Sequence, residues 1–375
     1  MFSVMPFGFL FIFVFVFGSL LSLSSLHWLG IWAGLEINLM GFIPILVYRG
    51  ITQETESGMK YFIIQALGSG MLMLGSLISF STSLSWEMFI LFNNSFGLVI
   101  LVFGLMLKLG SFPFHFWLPS VMAGISWASC LILTTWQKVA PMFLLSSMFH
   151  SWSLSNMWSA KLLVVMAGLS SIVGGVGGLN QTQIRALLAY SSIGHMGWML
   201  FCSVIGEGAL KTYFLIYFFT SVCVFLVLWY FEGSLYSQMG SLGQSYSKIN
   251  EVCLILMLLS LGGMPPFLGF VGKWLVVWSS CNGTFPVSIL PLLGGSLISL
   301  FYYLSLFFSL MFFSGHGLTK ISYIDSLGQN GEKIFNVDVS VLYGSHKMTI
   351  VNLIFVLNLM GGFMVSLSLL LWDFI

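Results

Sequence analysis

Four charged side chains stand where this sequence offers little to solvate them. Glu36, Lys108, Lys138 and Lys273 fall inside or beside long apolar runs of a chain that is 58% hydrophobic and only 6% charged. At the centre of a membrane-spanning helix each such charge costs roughly 2.5–3.5 kcal/mol on insertion scales. Four of them facing lipid would cost on the order of 10 kcal/mol, as much as the net stability of a domain. Charges so placed face a polar interior and serve ions or protons. Burial disfavours the charged form of a lysine and a nearby carboxylate favours it. Glu36 beside a lysine therefore holds or releases a proton in response to small changes around the pair. This is the chemistry of a proton relay and needs no cofactor.

The positions sharpen the reading. Glu36 lies about nine residues into its predicted helix, roughly 14 Å along the axis and close to the bilayer middle. Gly34, Asn38 and Gly41 beside it mark a packed face; a carboxyl held neutral by one hydrogen bond is the ordinary alternative. Lys138, in the run Thr134-Thr135-Trp136-Gln137-Lys138-Val139-Ala140-Pro141, is too deep to snorkel easily. Lys108 and Lys273 lie nearer to Pro113 and Pro265, where snorkelling towards a helix end competes with a buried role. His195, with Ser191 one helical turn earlier, is a possible relay member because imidazole passes protons near neutral pH. A packing histidine is the equal alternative. His115 follows the first helix break and either extends the relay or anchors at the interface.

The elements that position these residues are transmembrane helices, each needing about 20 apolar residues. The sequence predicts an all-α polytopic membrane protein of about eleven spans. They lie near 5–23, 27–48, 59–80, 96–118, 125–149, 160–179, 186–206, 209–231, 251–280, 286–313 and 349–372, with a polar loop at 49–57. The fourth is interrupted around Gly110–Pro113 and the ninth by Pro265 and Pro266. Proline removes a backbone donor and clashes with the preceding turn, leaving freed carbonyls to face a cavity or water. Spans one to five (1–150) and six to ten (151–314) then form two repeats. They are followed by a polar loop (315–348) and a C-terminal helix (349–375). Five spans is an odd number, so the repeats insert with opposite topology. Paired interruptions in inverted repeats point to a transport site, with ordinary kinks as the alternative.

Other classes are excluded. The net charge of +1 offers no basic patch for nucleic acid. Five cysteines are scattered singly, so iron–sulfur or zinc ligation is not expected and buried packing is. There is no dinucleotide or phosphate-binding glycine loop, and Gly174, Gly175, Gly177 and Gly178 read as helix-packing residues. Met1 leads straight into an apolar run with no basic segment, which reads as the first span rather than a presequence. Arg49, Lys60, Arg185, Lys248, Lys320, Lys333 and Lys347 fall on the side of the N-terminus, against Lys161 and Lys211 opposite. The N-terminus is therefore expected in the cytoplasm or matrix, and Ile375 across the membrane. Arg185, in a helix connector, is expected to meet lipid headgroups or a neighbouring subunit. Glu54, Glu56, Glu87, Glu207, Glu232 and Asp373 are expected to be solvated at helix ends or in loops.

Five passages together carry a specific likeness. They are Gly34-Leu35-Glu36-Ile37-Asn38, Lys108 through Pro119, Thr135-Trp136-Gln137-Lys138-Val139-Ala140-Pro141, Leu179 through Trp198, and Gly263 through Phe270 with Lys273-Trp274. With them the chain resembles the subunit 2 family of the mitochondrial NADH:ubiquinone oxidoreductase, respiratory complex I, among its antiporter-like membrane subunits. The resemblance implies two inverted five-helix repeats plus a terminal helix in the mitochondrial inner membrane. It implies a proton-translocating subunit, with Glu36 and Lys108 as the coupled pair, Lys138 as the connecting residue and Lys273 as the terminal lysine. It implies no cofactor in this chain; NADH, FMN, iron–sulfur clusters and ubiquinone would belong to other subunits. The partners would be other membrane-arm subunits and phospholipid including cardiolipin, with no nucleic acid and no soluble substrate. Family members often carry a lysine where this chain has Ala186, so no charge role carries over there. The rival readings are a stand-alone cation/proton antiporter and a non-pumping structural subunit.

Overall fold

In the computed structural model the residues described are 8–80, 86–87, 95–152, 157–231, 248–281, 283, 285–313, 356 and 358. They are helical apart from short connections, and the only β-pairing among them is an isolated bridge between His27 and Glu87. Seven helical stretches among them, counting Trp127–Phe149 as one, are long and apolar enough to cross a membrane, and four more are apolar but only 10–17 residues long. The chain is thus an all-helical membrane protein. The expected polar loop at 315–348 and final helix at 349–372 lie outside the described residues, except for helical Val356 and Asn358.

The chain divides into two compact units: Met1–Gln181 with Arg185–Leu215 and Leu275–Ser299, and Thr182–Ile184 with Ile216–Trp274 and Leu300–Ile375. The first unit begins with α1 (Gly8–Ser24) and α2 (Trp28–Val47) packed backbone against backbone. A Cβ on Gly34 would sit 2.6 Å from the Ser22 amide nitrogen, and one on Gly18 2.5 Å from that of Asn38. Small residues let helices approach this closely where lipid supplies no hydrophobic drive. Next comes α3 (Thr52–Phe80), which starts inside the segment expected to be a polar loop. Glu54 stands in its first turn, where the helix dipole favours an acid, and Glu56 pairs with Lys60 at 2.6 Å one turn on. These polar turns carry the helix past the apolar run: 29 residues span about 44 Å against roughly 30 Å of hydrocarbon.

The expected fourth span is α4 (Ser95–Leu109) and α5 (Trp117–Gly124), interrupted where the sequence indicated. The expected fifth span is also two helices, α6 (Trp127–Thr134) and α7 (Trp136–Trp152), parted at Thr135. Thr135 adopts φ −107° and ψ −75°. Its hydroxyl and that of Thr134 donate to the carbonyls of Leu131 and Cys130. Two threonines in succession bonded back to the helix loosen its regular ladder, which an apolar count does not register. The chain continues through α8 (Met157–Gly178), α9 (Ile184–Ile205) and α10 (Glu207–Phe231). As expected, the glycines of α8 are packing residues: Gly174 lies against Gly194 of α9. Then follow α11 (Lys248–Gly262), α12 (Leu268–Cys281), a 3-10 turn (Pro286–Ser288) and α13 (Ile289–Phe313). Four of the cysteines are buried, and Cys281 at the end of α12 is exposed, contrary to the expected burial.

Candidate functional site

The end of α4 builds the first half of the site. Gly110 takes φ +71°, a left-handed conformation that glycine adopts without a Cβ penalty. Its N–H donates to Leu107 O and Met106 O, and the Ser111 N–H reaches Met106 O at 3.2 Å. This glycine cap satisfies carbonyls that a helix end otherwise leaves orphaned. Trp117 Nε1 adds a bond to Leu107 O at 3.1 Å, and Gln65 Nε2 of α3 donates to Lys108 O at 3.4 Å. Gly110, not Pro113, therefore ends the helix; the proline sits in the turn beyond, and the freed carbonyls are capped by protein rather than left to water.

This cap sets Lys108 in the last turn, where the negative end of the helix dipole favours a cation. Its stem passes Gly68 of α3, where a Cβ would lie 3.2 Å from Lys108 Cγ. Its Nζ comes to 4.0 Å from Glu36 Oε1 on α2. Lys108 is 8% exposed, and Glu36 Oε1 is buried with no hydrogen bond among the described residues. At 4 Å and an effective dielectric of about 20, the attraction is about 4 kcal/mol. Desolvating a buried ion costs several kcal/mol. The pair is thus close to balance, and a modest change in separation or hydration moves it.

Lys138 lies three residues after the Thr135 interruption and is 2% exposed. The side chains before it reach two other helices. Trp136 Nε1 donates to Ser19 Oγ of α1 at 3.1 Å, and Asn38 Nδ2 of α2 donates to Gln137 Oε1 at 3.2 Å. The structure thus brings Glu36 to Lys108 and ties the flank of Lys138 to the helix that carries Glu36. Of the two histidines, His115 is buried and bonded through Nδ1 to Pro113 O at 3.3 Å, with its ring beside Phe112 and Phe116. His195 is half-buried and meets Tyr213 Oη of α10 through Nδ1 at 2.9 Å. Sequence reasoning missed Tyr213, since nothing in the spacing of the two residues signals their contact across helices.

In the second unit the end of α11 repeats the cap. Gly263 takes φ +83°, its N–H donates to Leu259 O and Ser260 O, and Met264 N–H reaches Leu259 O at 3.3 Å. Pro265 and Pro266 again lie past the glycine. Buried Lys273, on α12, closes the break from the other side: its Nζ donates to Gly262 O at 2.8 Å.

Two expectations are corrected. Glu54 is only 4% exposed rather than solvated, with Arg49 and Arg185 in electrostatic reach. Arg185 is engaged within its own unit: Nη1 donates to Ile125 O at 2.7 Å, and the guanidinium lies 4.9 Å over the Trp127 ring. A bent connection at Ile125 with an uncapped carbonyl gives it that partner. No cluster of three or more His, Cys, Asp or Glu side chains that could hold a metal occurs among the described residues.

Residues 25–299 match the model of the NADH:quinone oxidoreductase/Mrp antiporter transmembrane family. NADH-ubiquinone oxidoreductase chain 2 of Lumbricus terrestris is 40% identical over 297 residues, covering 79% of this chain and 84% of that protein. The protein of the same name from Locusta migratoria is 40% identical over 306 residues, 80% of this chain and 84% of the relative. Among solved structures, respiratory complex I from Thermus thermophilus with bound aureothin matches with a TM-score of 0.79 at 24% identity, covering 96% of this chain and 79% of that one. An archaeal membrane-bound sulfane sulfur reductase matches at 0.76 and 17% identity, covering 97% and 74%. At these identities the two structures speak to the fold alone.

Proposed function

This chain belongs to the NADH-ubiquinone oxidoreductase chain 2 family, and we propose that it is the proton-translocating chain 2 subunit of a respiratory complex I membrane arm. Its place is the mitochondrial inner membrane, with the N-terminus in the matrix and the C-terminus in the intermembrane space. Two inverted five-helix repeats, 1–150 and 151–314, and a terminal helix make eleven spans. The matching glycine caps at Gly110 and Gly263, each followed within three residues by a proline turn, support that repeat. The subunit contributes to NADH:ubiquinone reduction without a redox centre of its own; NADH, FMN, iron–sulfur clusters and ubiquinone are held by other subunits. Membrane-arm subunits and phospholipid including cardiolipin surround it.

The observation that carries the proposal is the Glu36–Lys108 pair at 4.0 Å, a buried lysine against a carboxylate side chain 23% exposed, held at a helix interruption. Doubling that separation at the same dielectric takes the attraction from about 4 to about 2 kcal/mol, more than tenfold in an equilibrium constant. Motion or hydration driven by redox chemistry elsewhere thus changes where a proton rests. Lys138 takes it onward and Lys273 serves the second interrupted helix, with His195 and His115 as further relay groups. Gentle native extraction of the source membrane, followed by mass spectrometry of the assembly containing this chain, tests the proposal. Co-migration with an NADH-oxidising complex is expected. A small assembly lacking flavin and iron–sulfur partners would make the chain a stand-alone antiporter instead.

A further inference from the structure

We propose that Gln137 and Trp136 are positioning residues: they brace α7 just past the Thr135 interruption and so fix where Lys138 stands relative to Glu36. The inference rests on the proton-carrying reading of Lys138. At Thr135 the ladder is disturbed rather than continuous: Thr135 N–H still donates to Leu131 O, but Lys138 N–H turns to Thr135 O, so the backbone holds Lys138 less firmly in register with α6. Two consecutive side chains supplement it, each bonded to a different helix. Trp136 donates its indole N–H to Ser19 of α1, and Gln137 accepts from Asn38 of α2.

The surface they grip does not slide. Ser19 and Asn38 are buried on helices whose backbones touch at Gly18 and Gly34. Asn38 lies two residues beyond Glu36 on α2, and Gln137 immediately precedes Lys138 on α7. At 3.6 residues per turn, Asn38 points about 160° away from Glu36 and Gln137 about 100° away from Lys138. The amide bridge thus lies to the side of the charges and sets their helices without standing between them.

Space filling does not explain the pair. Asn38 Oδ1 and Gln137 Nε2 are both buried without a hydrogen bond among the described residues. An apolar pair of similar volume would carry no such cost. What the amides add is a fixed partner, since buried polar contacts specify register where apolar ones tolerate slippage.

The test compares assembled complexes in sealed vesicles, reading protons translocated per electron alongside the rate of NADH:quinone electron transfer. The variants are Gln137→Leu, the amide swap Asn38→Gln with Gln137→Asn, and Lys138→Met as reference. Expected are a fall in the Gln137→Leu ratio by the same fraction as in Lys138→Met, and its recovery in the swap, which keeps two amides of unchanged combined length. A wild-type ratio in Gln137→Leu beside a lowered one in Lys138→Met overturns the positioning role and leaves the proton-carrying reading standing. A fall that the swap does not recover also overturns it, since packing is then the cause. Wild-type ratios in both single variants overturn the reading beneath it. Should Gln137→Leu fail to assemble, Trp136→Phe, which removes one N–H and keeps a ring, decides by the same ratio: lowered supports the brace, unchanged refutes it.

Discussion

Replacing Gly263 with alanine separates what the second helix break does for stability from what it does for a charge. At φ +83° an alanine sits in the left-handed region, at a cost of about 1–2 kcal/mol. Its Cβ would also lie 2.8 Å from Lys273 Nζ and 3.1 Å from Cδ and Cε, so the lysine must leave. Leaving breaks the 2.8 Å bond to Gly262 O, and a hydrogen bond to a charged group is worth about 1.5–3 kcal/mol. Together the change costs about 2.5–5 kcal/mol. Gly110→Ala is the control. It has the same backbone strain at φ +71°, and its Cβ meets Leu118 Cδ1 at 2.8 Å and the Trp117 ring at 3.1 and 3.3 Å, so those side chains rather than a lysine must give. No lysine lies among those contacts, so Gly110→Ala strains the backbone by about 1–2 kcal/mol and repacks apolar neighbours without displacing a charge. Thermal disassembly of the extracted complex, with proton-to-electron ratios measured on the same preparations, reads both. Both variants should disassemble below the wild-type temperature, but only Gly263→Ala, which displaces Lys273, should pump fewer protons per electron. A wild-type ratio in Gly263→Ala would refute the argument that Gly263 makes room for Lys273.

Other contacts yield further predictions. Gly34→Val should prevent assembly on native gels, because a Cβ alone would stand 2.6 Å from the Ser22 amide nitrogen; a normally assembled variant would contradict the close packing of α1 and α2. Arg185→Gln should lower the melting temperature of the extracted subunit, because Ile125 O loses its guanidinium donor and Glu54 is left with Arg49 alone. Glu54→Gln in that background should recover part of the loss in thermal melting. Tyr213→Phe and His195→Gln should reduce proton translocation to the same extent singly and together, since both break one 2.9 Å contact; additive losses would show that the two groups act independently.

The helical architecture was legible because lipid imposes a simple rule on composition, and the boundaries of α2 and α9 fall within two residues of the apolar runs that announced them. That Glu36 stands near some lysine was legible because a lone charge in such surroundings needs a partner, but the choice of Lys108 came from the resemblance. Other features depended on geometry that types and spacing do not encode. The prolines pointed to the right turns, but Gly110 and Gly263 end the helices, since a left-handed residue caps carbonyls that a proline only frees. The break at Thr135 was hidden because threonines look unremarkable in an apolar run, and their hydroxyls decide the matter. Glu54 read as solvated because its neighbours in sequence are polar, whereas its surroundings are set partly by Arg185, far along the chain. The link from Asn38 to Gln137 crosses 99 positions and leaves no trace in local pattern.

The proton-carrying role turns on the carboxylate that no other side chain of α2 can replace. Proton-to-electron stoichiometry of the assembled complex carrying Glu36→Gln, an isosteric change that removes only the charge, puts it to the test. Electron transfer should persist while fewer protons cross per electron, because Lys108 loses the partner held 4.0 Å away. A wild-type stoichiometry in a fully assembled complex would show that the pair carries no protons.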